Sequence, residues 1–157
     1  MVDLKRRLPG AGAWVHPNKA CVTGVQEKPA LLARAFGKNI VAAGLLEQIK
    51  EAVLRGIQHG LSQASAGSGL IGGADLLRTA MQRSEVHTVV LASDASDRVQ
   101  RKLSAVNRKG ISFVRMPINK DALGARVGTG PRAAVGVLPA SSSVYLIRLL
   151  QVWGALG

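Results

Sequence analysis

From Leu45 onward the apolar positions fall into a helical register. Leu46, Ile49, Val53, Ile57 and Leu61 recur at spacings of three and four, with Glu47, Lys50, Glu51 and Arg55 on the other faces. That periodicity predicts a long amphipathic helix. The small-residue stretch Ala64–Gly69 is expected to end it as a flexible connection. Leu70-Ile71 then reads as a very short strand, and Gly72-Gly73 leads into a helix from Ala74 to about Arg83 with Leu77, Ala80 and Met81 inward. Val86–Ala92 is a near-continuous β-branched and aliphatic run, the mark of a strand covered on both faces.

The alternation continues to the end of the chain. Asp94 or Ser96 can cap a helix over about Asp97–Arg108, buried through Val99, Leu103 and Val106 and stopped by Gly110. Ile111–Arg115 is the next strand, and Asn119 caps a short helix running through Leu123 to Val127. Gly128, Gly130 and Pro131 make a turn before a strand at Ala133–Leu138. Ser141–Ser143 can cap a last helix, Val144–Trp153, whose apolar side carries Leu146, Leu149, Leu150 and Trp153. Helices alternating with four strands predict an α/β fold, a three-layer α-β-α sandwich around a small mixed sheet.

The first 38 residues read differently. Leu8–Ala13 is a turn, Trp14-Val15 a short extended piece, and Pro29–Phe36 a short helix begun by proline and closed by Gly37. This is little material for a core, so residues 1–38 are expected to form a small α+β appendage to a domain spanning 42–157.

Charge adds what the pattern does not show. The chain carries 21 Lys and Arg against 9 Asp and Glu, a net charge of +12, yet 47% of it is hydrophobic. A disordered polycation would be depleted in apolar residues, so the charge must coat a folded body that attracts polyanions, nucleic acid first. Residues 1–38 hold seven basic and two acidic residues, and 39–157 hold fourteen and seven, so no tail accounts for the excess. Aromatics are 3% of the chain, which disfavours readers that stack bases on a tray of Phe and Tyr. The single Cys21 leaves no partner for an intramolecular disulfide. No apolar run reaches the roughly 18 residues that span a bilayer, and no secretory segment follows the basic start. A cytoplasmic monomer with no membrane association is expected.

Catalytic and metal chemistry find little here. His16, His59 and His87 fall in a turn, a helix and a strand without ligand spacing or a nucleophile partner. Asp94 and Asp97 suit helix capping. The glycines of Gly67–Gly73 lack the Lys-Ser/Thr of a mononucleotide loop, so no cofactor and no metal are expected. Gly72-Gly73 would instead let a nucleic-acid backbone approach the N–H groups of a helix N-terminus. The loop Arg115–Lys120 mixes basic and apolar side chains at the end of a strand. Such loops gather at the carboxyl ends of the strands. Gly72, Gly73, Arg78, Arg115, Asn119, Lys120 and Arg126 are therefore the candidate nucleic-acid-binding residues, with no catalytic residue among them.

Gly73–Met81, Val89–Ala95, Gly110-Ile111, and Leu123-Gly124 followed by Gly128 run in an order that resembles the ribosomal L7Ae/L30e superfamily. The resemblance implies an α-β-α sandwich that binds kink-turn and related RNA, along the Gly73–Arg78 helix start and the Arg115–Lys120 loop. Kink-turn readers of that superfamily usually carry Gly-Thr-Asn-Glu at the helix start. This chain has Gly73-Ala74-Asp75-Leu76, where Asp75 would repel phosphate. Leu8–Val15 and Ala33–Phe36 are similar to the second half of the YlxR family, which implies that residues 1–38 are part of such a domain. The expected function is non-enzymatic recognition of structured RNA, ribosomal RNA being one candidate, through phosphates at one edge of the sheet. The alternative is a ribosome-associated protein-interaction module that docks through the apolar segment Val144–Leu156.

Overall fold

The computed structural model describes all 157 residues, in two compact units. One comprises Met1–Gly56 with Gln151–Gly157, the other Ile57–Leu150. Elements in chain order are α1 (Lys19–Glu27), α2 (Pro29–Phe36), α3 (Leu45–Ala66), β1 (Leu70–Gly72), α4 (Ala74–Gln82), β2 (Thr88–Leu91), α5 (Asp97–Ser104), β3 (Ser112–Arg115), α6 (Lys120–Arg126), β4 (Ala134–Val137) and α7 (Val144–Leu156), the last preceded by a 3-10 turn at Ser141–Ser143.

In the first unit, α1 is capped by Asn18, whose side-chain oxygen accepts from Cys21 N at 2.8 Å. This helix is not among the elements the sequence predicts, and Val22 is the buried residue along it. Pro29 starts α2, and Gly37 ends it at φ 66°, the left-handed conformation that favours glycine. Trp14-Val15 joins no sheet. Trp14 is 71% exposed, with the Arg6 guanidinium 4.4 Å from its ring centre. The Asp3 carboxylate accepts from Leu8 N and Lys5 N at 2.7 and 3.1 Å. The Leu8 amide is the main reason its pKa is lowered.

The second unit holds the sheet, in the order β1-β4-β2-β3. β2 and β3 are parallel, pairing Val89 with Phe113. β4 lies between β1 and β2 and is antiparallel to both, with Gly136 opposite Ile71 on one side and Val89 on the other. β1, β2 and β3 therefore all end at the same end of the sheet, where β4 begins. Every residue of β2 and β4 is buried, as two covered faces require.

Helix α4 covers one face. A Cβ on Gly136 would stand 2.6 Å from Leu77 Cδ1 and 2.8 Å from Ile71 Cγ2. Gly136 is thus the position where the helix sits down on β4. Within the same unit, Gly60 of α3 meets Leu146 of α7, a Cβ at Gly60 standing 3.2 Å from Leu146 Cβ.

Several element ends differ from the periodicity. Helix α3 continues into the stretch read as flexible, Ala64–Gly69, and ends at Ala66. Ala64 is fully buried, and Ser65 Oγ donates to the Val127 carbonyl at 2.9 Å, so tertiary contacts hold the last turn. Helix α5 stops at Ser104 rather than Arg108. Asn107 explains the stop: its side chain donates to Ile111 O and accepts from Ile111 N, both at 2.8 Å, and folds the chain back toward β3. Helix α7 runs on to Leu156, with Leu146, Leu149, Leu150 and Leu156 all buried. Val144 at its start stays 65% exposed and Trp153 half-buried, so part of its apolar surface lies outside the core.

The turn from α6 to β4 is held by a missing side chain. A Cβ on Gly124 would collide with the carbonyl oxygen of Gly130, and would lie 2.7 Å from Gly130 C and 3.1 Å from Pro131 Cα. Backbone cannot swing aside as a side chain can. Gly124→Ala is expected to cost about 1–3 kcal/mol by overpacking, read as a fall of several degrees in melting temperature. Gly130→Ala, with open space around it, should move the melting temperature far less.

Candidate nucleic-acid interface

Strand β1 ends at Gly72, and Gly73 turns the chain into α4 at φ 95°, ψ 131°. Only glycine takes that backbone comfortably. No side chain caps the helix, and open space surrounds the place where a Gly73 Cβ would stand. The first helical N–H groups, which have no partner within a helix, therefore face an accessible corner. Their dipole favours an anion there.

Beside that corner is a cavity of about 370 Å³. Leu77, Val99, Leu103 and Pro131 contribute apolar walls. Arg78 from α4, Arg98 and Lys102 from α5, and Arg132 from the α6–β4 loop contribute four cations, with Asp75 the one acid. None of the four cations makes a salt bridge. Like charges held this close repel one another, and a bound polyanion relieves the repulsion. Arg132 lies over Gly72, its Nε 3.2 Å from where a Gly72 Cβ would stand. That Nε is buried without a hydrogen-bond partner, a state that ordinarily costs about 1–3 kcal/mol.

Three of the residues expected from the sequence, Gly72, Gly73 and Arg78, meet at this corner. The other four lie outside the cavity. Arg115 is turned inward on itself: Nη1 donates to the carbonyls of Ala92, Ser93 and Ala95 at 3.1, 3.2 and 3.1 Å, and Nη2 to Gln100 Oε1 at 2.8 Å. The Asn119 side chain caps α6, accepting from Ala122 N at 2.8 Å. Lys120 donates its backbone N–H to Asp94 Oδ1 at 2.8 Å. Arg126 reaches Gln58 Oε1 at 3.4 Å. Arg115 and Gly72 share an end of the sheet but stand at the ends of opposite edge strands, β3 and β1, three strand spacings or roughly 14 Å apart. Lys120 lies nearer the corner, its carbonyl accepting from Arg132 N at 2.9 Å.

Arg98, Lys102 and Arg132 were not among the expected residues. Arg98 and Lys102 stand four apart on exposed positions of α5, a spacing that does announce a shared helix face. Nothing local announces Arg132, because only the insertion of β4 beside β1 carries it to Gly72. Outside the cavity, His87 Nδ1 lies 2.8 Å from Thr88 Oγ1. No three His, Cys, Asp or Glu side chains come together to hold a metal ion.

A sequence model of the ribosomal protein L7Ae/L30e/S12e/Gadd45 family matches residues 55–147, more than half of the chain. The chain belongs to that family. The matched stretch contains the whole sheet and all four cavity cations. Among solved structures, the protein is similar to a Bacillus halodurans protein with unknown function, at 26% identity and TM-score 0.54, over 60% of this chain and 96% of that one. It shares its fold with the Giardia lamblia 15.5kD RNA binding protein, at 16% identity and TM-score 0.55, over 68% of this chain and 91% of that one. No curated protein matches. No helix of this family member is long and apolar enough to cross a membrane.

Arg132 gives the interface a direct test. Arg132→Met keeps the length and the apolar stem while removing the unpaired N–H. A thermal melt of the free variant is expected at or above the parent temperature. A clear fall would mean that the guanidinium is held by the fold itself.

Proposed function

We propose that this L7Ae/L30e/S12e/Gadd45 family member is a non-enzymatic RNA-binding protein that acts in the cytoplasm as a monomer on structured RNA, ribosomal RNA included. One observation carries the reading: four unpaired cations and an uncapped helix N-terminus converge on one partly apolar cavity. The N-terminal amides of α4 and the guanidinium and ammonium groups of Arg78, Arg98, Lys102 and Arg132 would take phosphate oxygens. The walls formed by Leu77, Val99, Leu103 and Pro131 would take the apolar part of a nucleotide. No aromatic ring lines the cavity, so affinity comes from phosphates and shape rather than from stacking. The family's name and the RNA-binding relative from Giardia lamblia support the choice of RNA, as does the net charge of +12. Asn119, Lys120 and Arg126 lie outside the cavity and receive no phosphate in this reading. The division into a YlxR-like segment at 1–38 and an RNA-binding domain at 42–157 belongs to the same proposal.

Fluorescence anisotropy of a labelled, internally looped RNA, titrated at several salt concentrations, tests it. Binding should weaken steeply with salt and exceed binding to a DNA duplex of equal length. Replacing Arg78, Arg98, Lys102 and Arg132 by Gln should each lower the log–log salt slope by about 0.7–0.9. The quadruple variant should lose about 3 in slope. Absence of binding at low salt overturns the proposal.

A further inference from the structure

Arg115 is exposed, basic and at the same end of the sheet as the cavity, which makes it an obvious phosphate contact. Its hydrogen bonds point elsewhere. One nitrogen, Nη1, faces three carbonyl oxygens, and the other, Nη2, holds Gln100. A phosphate would have to compete with four acceptors already in place, and hydrogen bonds from a charged donor are the strong ones.

What those acceptors belong to gives Arg115 its role. Gln100 sits on α5 midway between Arg98 and Lys102, so the Arg115–Gln100 bond sets how α5 turns its cations toward the cavity. The carbonyls of Ala92, Ser93 and Ala95 flank Asp94. Asp94 in turn accepts from Lys120 N at 2.8 Å, and the Lys120 carbonyl accepts from Arg132 N at 2.9 Å. Ser93 N donates to Ile118 O at 2.7 Å and ties the same two loops together. One guanidinium therefore anchors two arms: α5, with Arg98 and Lys102, and a relay through Asp94 and Lys120 that ends at the backbone of Arg132.

We propose that Arg115 is a positioning residue for the anion-binding cavity, holding Arg98, Lys102 and Arg132 in their convergent places without touching RNA. The proposal rests on the RNA-binding reading given above for its affinity readout. Lysine cannot replace Arg115, because a single ammonium does not fork between a carbonyl cluster and a side-chain amide. A direct phosphate contact, by contrast, tolerates lysine.

The test is a double-mutant cycle on the full chain, read by anisotropy with the same internally looped RNA at a temperature where every variant is folded. Arg115→Lys and Arg115→Gln should each weaken binding about tenfold in the parent, and by less than about twofold once Arg98→Gln, Lys102→Gln and Arg132→Gln are already present. In Arg115→Lys, the backbone amides of Val99–Leu103 and of Lys120 should exchange faster with solvent. Equal losses in both backgrounds, or parent affinity in Arg115→Lys, would overturn the proposal in favour of direct contact or a general loss of stability. If the parent binds no RNA, the functional reading fails and the exchange measurement alone decides the clamp. Faster exchange at those amides in Arg115→Lys upholds it, and unchanged exchange overturns it.

Discussion

Helix α4 can lie on β4 because Gly136 has no side chain. The Leu77 methyl and the Ile71 branch fill the space that a Cβ would claim. That close approach sets the height of α4 above the sheet, and so the place of its N-terminus. It also requires β4 to be the central antiparallel strand beside β1, which brings the loop before β4 to the corner where β1 ends. The uncapped N-terminus of α4 and the guanidinium of Arg132 meet as a consequence. A second glycine, Gly124, repeats the device by letting the Gly130-Pro131 backbone rest against α6. The position of the site thus depends on two side chains that are absent.

The charge on the molecule divides into kinds that composition cannot separate. Arg55 pairs with Glu51 along the exposed face of α3, a contact worth little in water. Arg115 spends its donors on backbone carbonyls and Gln100. Arg78, Arg98, Lys102 and Arg132 have no acidic partner and crowd one cavity, with Arg132 leaving a buried N–H unsatisfied. A protein folded for stability alone would not be expected to gather charges this way. The arrangement makes sense if the missing partner is supplied from outside, as the phosphates of a nucleic acid would supply it.

Much of the fold was legible in the chain. The three-and-four spacing of Leu46 to Leu61, the β-branched run before Ala92 and the caps Ser96 and Asn119 follow from local backbone and burial preferences, which a sequence displays directly. The alternation of those elements determined the sandwich. Gly72, Gly73 and Arg78 were visible because adjacent residues formed their corner. What tertiary structure alone decided was which distant residues share a place. Sequence order puts β4 last, but the sheet puts it between β1 and β2, and so Arg132 reaches Gly72 across sixty residues. The same ordering sends Arg115 to the far edge, where nearby carbonyls claim it. Strand order depends on long-range hydrogen bonding and on which helix can pack against which strand, and no local pattern records that.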